Sequence, residues 1–314
     1  MKIIFMGTPD FGAQMLEELI QGPHEVIAVV TQPDRPKGRK RVMTPSPVKS
    51  LALAHDIAVY QPEKIAGSPE SQALIDMDSD LIVTAAYGQF LPLEVLQAPK
   101  KLAINVHASL LPKYRGGAPI HYAIWKGEEE TGISIIEMVE KMDAGDIFKQ
   151  ASIPIEKTDD VGIMFDKLAI LGRKVLAQTL EEIQAGTYTR RAQDPEQVKF
   201  SPTISKEEEQ LNWQESAQQV DYHIRGFRPF PSTYTTHQGQ RIKIWQGYPL
   251  DIALESGQAP GTIVDSTEEG LVVQCGKATG FVVTQWQESG KKAMNIRDVF
   301  NGSPADSFIG WTLK

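Results

Sequence analysis

The stretch Lys2-Ile3-Ile4-Phe5-Met6-Gly7-Thr8-Pro9-Asp10-Phe11-Gly12 decides the fold. A β-rich apolar run gives way to a turn containing Gly and Pro, and the apolar residues beyond it, Met15, Leu16, Leu19 and Ile20, recur at helical spacing. The order is strand, turn, helix. Val26-Ile27-Ala28-Val29-Val30 then forms an unbroken apolar stretch, the pattern of a strand buried on both faces of a parallel sheet. Further runs of this kind occupy 81–86, 102–106 and 133–139, separated by segments long enough for crossover helices. Together they predict a doubly wound, mostly parallel α/β sheet.

The first turn reads Gly-x-x-x-x-Gly between Gly7 and Gly12. The Gly-x-Gly-x-x-Gly spacing of a dinucleotide site is missing, so the Rossmann-like sheet predicts neither nicotinamide nor flavin binding. A dehydrogenase is thereby disfavoured, and a titration with NADH tests it. Apolar positions Met164, Phe165, Leu168, Leu171, Leu176 and Leu180 predict a long amphipathic helix over 160–183, followed by Gly186 and a polar stretch to Pro202. Short Gly-punctuated strands at 241–245, 261–264, 270–274 and 280–286 predict a small β-barrel domain. The expected organisation is a domain over 1–189, a linker over 190–206 and a second domain over 207–314.

Composition narrows the function classes. The chain has 314 residues, 41% hydrophobic and 23% charged, as expected of a globular protein with two domains. Its opening apolar run is far too short for a signal peptide, and no segment predicts a membrane span, so the expected location is cytoplasmic. A single cysteine, Cys275, allows no intramolecular disulfide, and the six histidines lack paired metal-ligand spacing, so no metal is expected. Net charge is −8, with −5 over residues 1–200 and −3 over the remainder. Charge alone predicts no RNA partner, because phosphate binding relies on Lys and Arg.

The chemistry is most legible in Asn105-Val106-His107-Ala108-Ser109-Leu110-Leu111-Pro112. Along a strand alternate residues share a face, so Asn105 and His107 point together, opposite Ile104 and Val106. They sit at a strand's C-terminal end, where open α/β sheets place ligands. A second strand ends at Asp143-Ala144-Gly145-Asp146, so Asp143 is placed to orient His107. A donor amide, a proton-carrying imidazole and an orienting carboxylate suit acyl transfer without a nucleophilic side chain. Taken singly, a strand-end His or a turn Asp also reads as a structural residue.

With Arg115-Gly116 downstream, the Asn105-x-His107-x-Ser109-Leu110-Leu111-Pro112 and Asp143-x-Gly145-Asp146 segments resemble the signature of the folate-dependent formyltransferases. The resemblance implies that Asn105, His107 and Asp143 are catalytic and that 10-formyltetrahydrofolate is the formyl donor. It assigns Ser109, Leu110, Leu111 and Pro112 to a loop against the folate. The segment containing Tyr87, Gly88, Gln89, Phe90 and Leu91 resembles the pterin-side loop of that family.

Within the superfamily the acceptor is a glycinamide ribonucleotide, a sugar nucleotide, water or methionyl-tRNA. The stretch 31–49 carries Arg35, Lys37, Arg39, Lys40 and Arg41 between prolines and reads as an extended basic loop, either solvated surface or RNA contact. It resembles a loop of the methionyl-tRNA formyltransferase family that reaches into the tRNA acceptor end. Ile224-Arg225-Gly226-Phe227-Arg228-Pro229-Phe230-Pro231 and Gly290-Lys291-Lys292 resemble that family's OB-like tRNA-binding domain. The implied tRNA contacts there are Arg225, Arg228, Lys291 and Lys292. The alternative readings are a helix end with an aromatic-proline turn for the first segment and a hairpin turn for the second. The resemblance further implies a monomer, with folate and initiator tRNA as partners. A non-catalytic RNA-binding or folate-sensing protein is the competing class, and the intact Asn, His and Asp speak against it.

Overall fold

Ile3, Ile4, Phe5 and Met6 have no solvent exposure in the computed structural model, which describes residues 1–314 except Arg39 and Glu255. Arg39, expected above to contact tRNA, lies outside the described residues. Each large apolar side chain so buried contributes about 1.5–3 kcal/mol to folding. The four residues belong to β1 (Lys2–Gly7), which the turn connects to α1 (Asp10–Gln21). Phe11, Met15, Leu16 and Leu19 on α1 are buried, as the helical spacing predicts, while Ile20 is half-buried. A Cβ on Gly7 or on Gly12 would come within 2.9 Å of the Ala85 carbonyl oxygen. The two glycines of the first turn therefore let the chain pack closely there.

Next come β2 (Glu25–Val30), β3 (Arg35–Lys37), β4 (Val42–Thr44), α2 (Pro47–Ala54), β5 (Val59–Tyr60), α3 (Pro69–Ile75) and β6 (Leu81–Ala85). They are followed by α4 (Leu93–Leu96), β7 (Leu102–His107), α5 (Pro119–Trp125), β8 (Glu130–Glu137), β9 (Ile147–Pro154) and α6 (Val161–Ala185). The main sheet has the order β5-β2-β1-β6-β7-β8-β9. Its first five strands are parallel. β8 runs antiparallel to both of its neighbours, β7 and β9, so the run at 133–139 is half of an edge hairpin rather than another parallel strand. Apolar content could not reveal this, because β8 is buried on both faces whatever its direction. Strand order reverses between β1 and β6, where Gly7 pairs with Ala85. The carboxyl ends of β1, β6 and β7 thus border the crevice where such sheets bind ligands.

The chain divides into two units. One comprises Met1–Pro119, Glu130–Pro154 and Phe165–Pro202; the other comprises Ile120–Glu129, Ile155–Met164 and Thr203–Lys314. Part of the expected linker runs along the first unit: Ile147 and Arg191 exchange backbone hydrogen bonds, and Arg115 N–H donates to the Lys199 carbonyl.

The second unit holds α7 (Ala217–Phe227), β10 (Thr233–His237), β11 (Gln240–Pro249), β12 (Ile263–Ser266), β13 (Leu271–Cys275), β14 (Thr279–Glu288), β15 (Met294–Asn295) and α8 (Ile296–Val299). The strands form an antiparallel sheet in the order β10-β11-β14-β13-β12, with β15 on β14. The expected barrel is found as an open strand order whose two edges both bond to the C-terminal segment. Lys314 exchanges backbone hydrogen bonds with Thr236 on β10, while Leu313 N–H donates to Gly261 and Gly310 N–H to Ile263 beside or on β12. Trp213, Ile244, Phe281 and Trp286 lie in the core of this unit.

His223 is buried in the same unit, its Nε2 2.7 Å from the Glu208 carbonyl oxygen and its ring stacked on Trp125. Burial pushes its pKa down to about 4 from 6.5. The unfolded chain therefore binds a proton below about pH 6.5 that the folded chain refuses until about pH 4. Between those values stability is expected to fall by about 3 kcal/mol from this group alone. In urea melts across that range, His223→Gln should show a slope shallower by one proton, and an unchanged slope would refute the assignment.

Candidate active site

The carboxyl ends of β1, β2 and β6 are tied by one backbone carbonyl. Tyr87 C=O accepts from Thr8 Oγ1 at 3.0 Å and from Gln32 Nε2 at 3.2 Å, and Gln32 N–H donates to Thr8 Oγ1. Ala86 (φ 51°) and Gly88 (φ 89°) flank it in the left-handed region, which bends the chain sharply out of β6. The Tyr87 ring is buried, and its hydroxyl has no hydrogen-bond partner among the described residues. Burial pushes that phenol up to about 12. Gln89 accepts from Ile65 N–H and donates to the carbonyls of Pro62 and Glu63, so it fixes the loop from behind. Leu91 is buried, whereas the Phe90 side chain stands in solvent at 68% exposure.

On β7, Asn105 lies opposite Thr84 of β6. The Thr84 hydroxyl donates to Asn105 Oδ1 at 2.8 Å, which assigns the oxygen side of the amide and leaves Nδ2 as its donor end. His107, 5% exposed, lies two residues further along the same face. Its Nε2 donates to the Tyr114 carbonyl at 2.9 Å, so Nδ1 is the ring atom left for proton exchange. That atom lies 3.7 Å from Asp143 Oδ2. The same carboxylate oxygen accepts from Gly116 N–H at 2.8 Å. His107 and Asp143 therefore meet, Asn105 lies two residues before His107 on the same strand face, and Gly116 of the Arg115-Gly116 pair joins them through its N–H.

The backbone around them is held in unusual conformations. Tyr114 (φ 65°) and Asp143 (φ 48°) are left-handed without being glycine, an arrangement that costs about 1–3 kcal/mol per residue and clusters at functional sites. Gly145 could not be replaced, since a Cβ there would lie 2.0 Å from the Glu137 carbonyl oxygen.

Ser109 of the expected folate loop is fully buried. Its hydroxyl donates to the Lys113 carbonyl at 2.7 Å, and its own carbonyl accepts from Ser134 Oγ. Leu111, also buried, donates its N–H to Ser134 and accepts at its carbonyl from Gln150 Nε2. These two residues shape the loop from inside, and Leu110 and Pro112, both half-buried, form its outer parts. Sequence reasoning missed Thr84, Ser134 and Gln150. The available signal for Thr84 and Ser134 was a polar residue inside the apolar runs of β6 and β8; Gln150, on β9, had none.

The basic stretch is a hairpin rather than an extended loop. β3 pairs antiparallel with β4, and Asp34 at its base accepts from Lys49 and Gln61. Lys37, Lys40 and Arg41 are exposed, Arg35 pairs with Glu63, and Val42 and Met43 of β4 are each 60% exposed.

Arg225 does not fit the RNA contact expected of it. It is buried, bonded to Asp221 Oδ2 at 2.8 Å and to the Asp159 carbonyl at 2.7 Å, and extracting a paired guanidinium would strand a buried carboxylate. Arg228 is likewise engaged, with Asp160 and the Trp245 carbonyl. Both line a groove of about 1000 Å³ in the second unit, together with two other cations and six carboxylates, a balance unsuited to phosphates. Lys291 and Lys292 are exposed at the hairpin turn after β14, where the Lys291 ammonium makes a surface pair with Glu288.

Residues 1–180 match the family described as formyl transferase, and residues 203–304 match the formyl transferase C-terminal domain. The methionyl-tRNA formyltransferase of Enterococcus faecalis is 54% identical over 301 residues, 96% of each chain. That of Bacillus subtilis is 47% identical over 306 residues, 98% of this chain and 96% of the relative. Among solved structures, an N-formyltransferase from Helicobacter canadensis crystallised with folinic acid and dTDP-3-aminofucose superposes with a TM-score of 0.70 at 16% identity, covering 92% of this chain and 99% of that one. The sugar 3N-formyltransferase WlaRD superposes with a TM-score of 0.66 at 16% identity, over 93% and 99% of the two chains. At that identity the shared property is the fold. The full-length relatives go further, and with the family matches over both halves they establish that this chain belongs to the formyl transferase family.

Proposed function

We infer that this protein transfers the formyl group of 10-formyltetrahydrofolate to the α-amine of methionyl initiator tRNA, giving N-formylmethionyl-tRNA for translation initiation. The observation that carries the reading is the meeting of His107 and Asp143 at the carboxyl end of β7, with Asn105 two residues earlier on the same strand, in a chain about half identical to methionyl-tRNA formyltransferases over nearly its whole length. The switch-point crevice suits a folate: Phe90 offers an exposed aromatic face, and the buried Tyr87 ring backs the same loop. Gly88, Leu110 and Pro112 complete the proposed folate contacts, with Ser109, Gln89, Leu91 and Leu111 holding the loops in shape.

In this mechanism Asn105 Nδ2 donates to the formyl oxygen as charge develops there during attack by the amine. His107 Nδ1 exchanges the proton that must leave the amine and reach the departing nitrogen. Asp143 holds the imidazole in register while the proton is in transit. Transfer proceeds directly from donor to amine, with no covalent intermediate on the protein. The organisation follows: catalysis in 1–189, the linker at 190–206, and tRNA binding aided by 207–314. The protein acts in the cytoplasm; no helix among the described residues is long and apolar enough to cross a membrane.

Incubation with 10-formyltetrahydrofolate and methionyl initiator tRNA, with glycinamide ribonucleotide and UDP-4-amino-arabinose in parallel, tests the acceptor. Formylated methionyl-tRNA alone is expected; product on another acceptor instead would overturn the reading.

The exposed cations of the hairpin, Arg35, Lys37, Lys40 and Arg41, supply tRNA contacts in this reading, assisted by Lys291 and Lys292. Substituting Lys37, Lys40 and Arg41 together by alanine should raise KM for tRNA and flatten the dependence of log KM on log salt by up to about three charges' worth. The KM for the folate should not move. An unchanged salt slope would return the hairpin to plain solvated surface.

A further inference from the structure

Gln193 lies in the polar stretch whose sequence reads as a linker, yet its side chain is among the most fully engaged in the first unit. Its Nε2 donates to two carbonyls of one turn, Asp143 and Gly145, each at 2.8 Å. Its Oε1 accepts from Arg115 Nη2 at 2.8 Å and from Arg115 Nε at 3.1 Å. Arg115 is 5% exposed, and burial lowers its guanidinium from the ordinary value while the Asp143 charge opposes that fall.

The connections close a ring. Arg115 reaches the main chain of Asp143 through Gln193, and the next residue, Gly116, reaches the Asp143 carboxylate directly through its N–H. Asp143 is thus gripped at both ends while its backbone sits in the left-handed region. Two residues before Gln193, Arg191 donates from Nη2 to Gln150 Oε1, and Gln150 Nε2 holds the Leu111 carbonyl and Ser134. The three-residue segment 191–193 therefore touches the supports of both loops, one carrying Asp143 and the other following His107.

We propose that Gln193 is a positioning residue for formyl transfer: bridging Arg115 to the 143–145 turn, it sets the Asp143 carboxylate between Gly116 N–H and His107 Nδ1. This rests on the function inferred above. A carboxylate displaced by about 1 Å from its productive place costs on the order of 100-fold in rate without loss of substrate binding.

Gln193→Ala removes both bridges. Gln193→Glu keeps an acceptor for Arg115 but sets oxygen against the two carbonyls. Both are expected to lower kcat about 10- to 100-fold with KM for tRNA and for the folate nearly unchanged. In an Asp143→Asn background, Gln193→Ala should add little, since both changes act on one unit. Independently of turnover, hydrogen exchange at Gly116 N–H should quicken in Gln193→Ala, while amides of β1 stay protected and report intact folding. Gln193→Asn serves as a milder variant should the others fold poorly. Unchanged kcat, effects that multiply in the double variant, or unchanged exchange at Gly116 would each overturn the proposal. A wild-type protein that formylates nothing, yet whose Gly116 exchange responds to Gln193→Ala, would overturn the functional reading and leave the positioning geometry standing.

Discussion

His107→Ala is expected to lower kcat for formyl transfer about 10²- to 10⁴-fold, the range for loss of a general acid-base group. The imidazole has two separate tasks, and a second variant separates them. Nε2 donates to the Tyr114 carbonyl, a structural bond that holds the left-handed residue following the Ser109–Pro112 loop. Nδ1 faces Asp143 and is the atom that can take and return a proton. His107→Gln can still donate an amide hydrogen to Tyr114 but cannot exchange protons near neutrality. It should therefore keep a melting temperature close to wild type, with KM values largely intact, and still lose most of kcat. If His107→Gln turns over normally, proton exchange at this position is not part of the reaction and only the structural bond matters.

Much of the site was legible because its chemistry is local in sequence. Asn105 and His107 are two apart on one strand, and alternation alone puts them on one face. The parallel strands were legible for the same reason, since a strand buried on both faces reads as an unbroken apolar run. Neither argument reaches across the chain. The direction of β8 depends on where its partner lies, and hydropathy does not encode direction.

The partners that hold the site in place were illegible for a related reason. Thr84 meets Asn105 across 21 positions, Gly116 meets Asp143 across 27, and Gln193 meets Asp143 across 50. Thr84 and Gln193 are ordinary polar side chains, and Gly116 offers an ordinary backbone N–H, until the fold brings their partners to them. Arg225 illustrates the converse. The motif presents a cation that reads as available to RNA, while in the fold Asp221 and the Asp159 carbonyl engage it. Polar composition is ambiguous over 190–206 as well, because it describes both a free tether and a strand-like segment bonded along a surface.

The second large effect expected is at Asn105, whose substitution by alanine should reduce kcat about 10²- to 10³-fold, equivalent to about 2.7–4 kcal/mol of transition-state stabilisation. That figure applies to a donor fixed in place before the reaction, and Thr84 is what fixes this one. Thr84 is 3% exposed, and its hydroxyl bonds Oδ1 from the neighbouring strand and so determines which end of the amide is presented. Thr84→Val removes the hydroxyl from a buried strand while preserving its shape, leaving the amide free to turn. A smaller loss of kcat, about 10-fold, should follow with little change in KM, as expected for a bond needed mainly in the transition state. The pair makes a cycle. If Thr84 acts only by orienting Asn105, then Thr84→Val should cost nothing further in the Asn105→Ala background. Equal penalties in both backgrounds would mean that Thr84 serves the sheet rather than the amide, and a normal kcat in Asn105→Ala would remove the oxygen-binding role from this strand altogether.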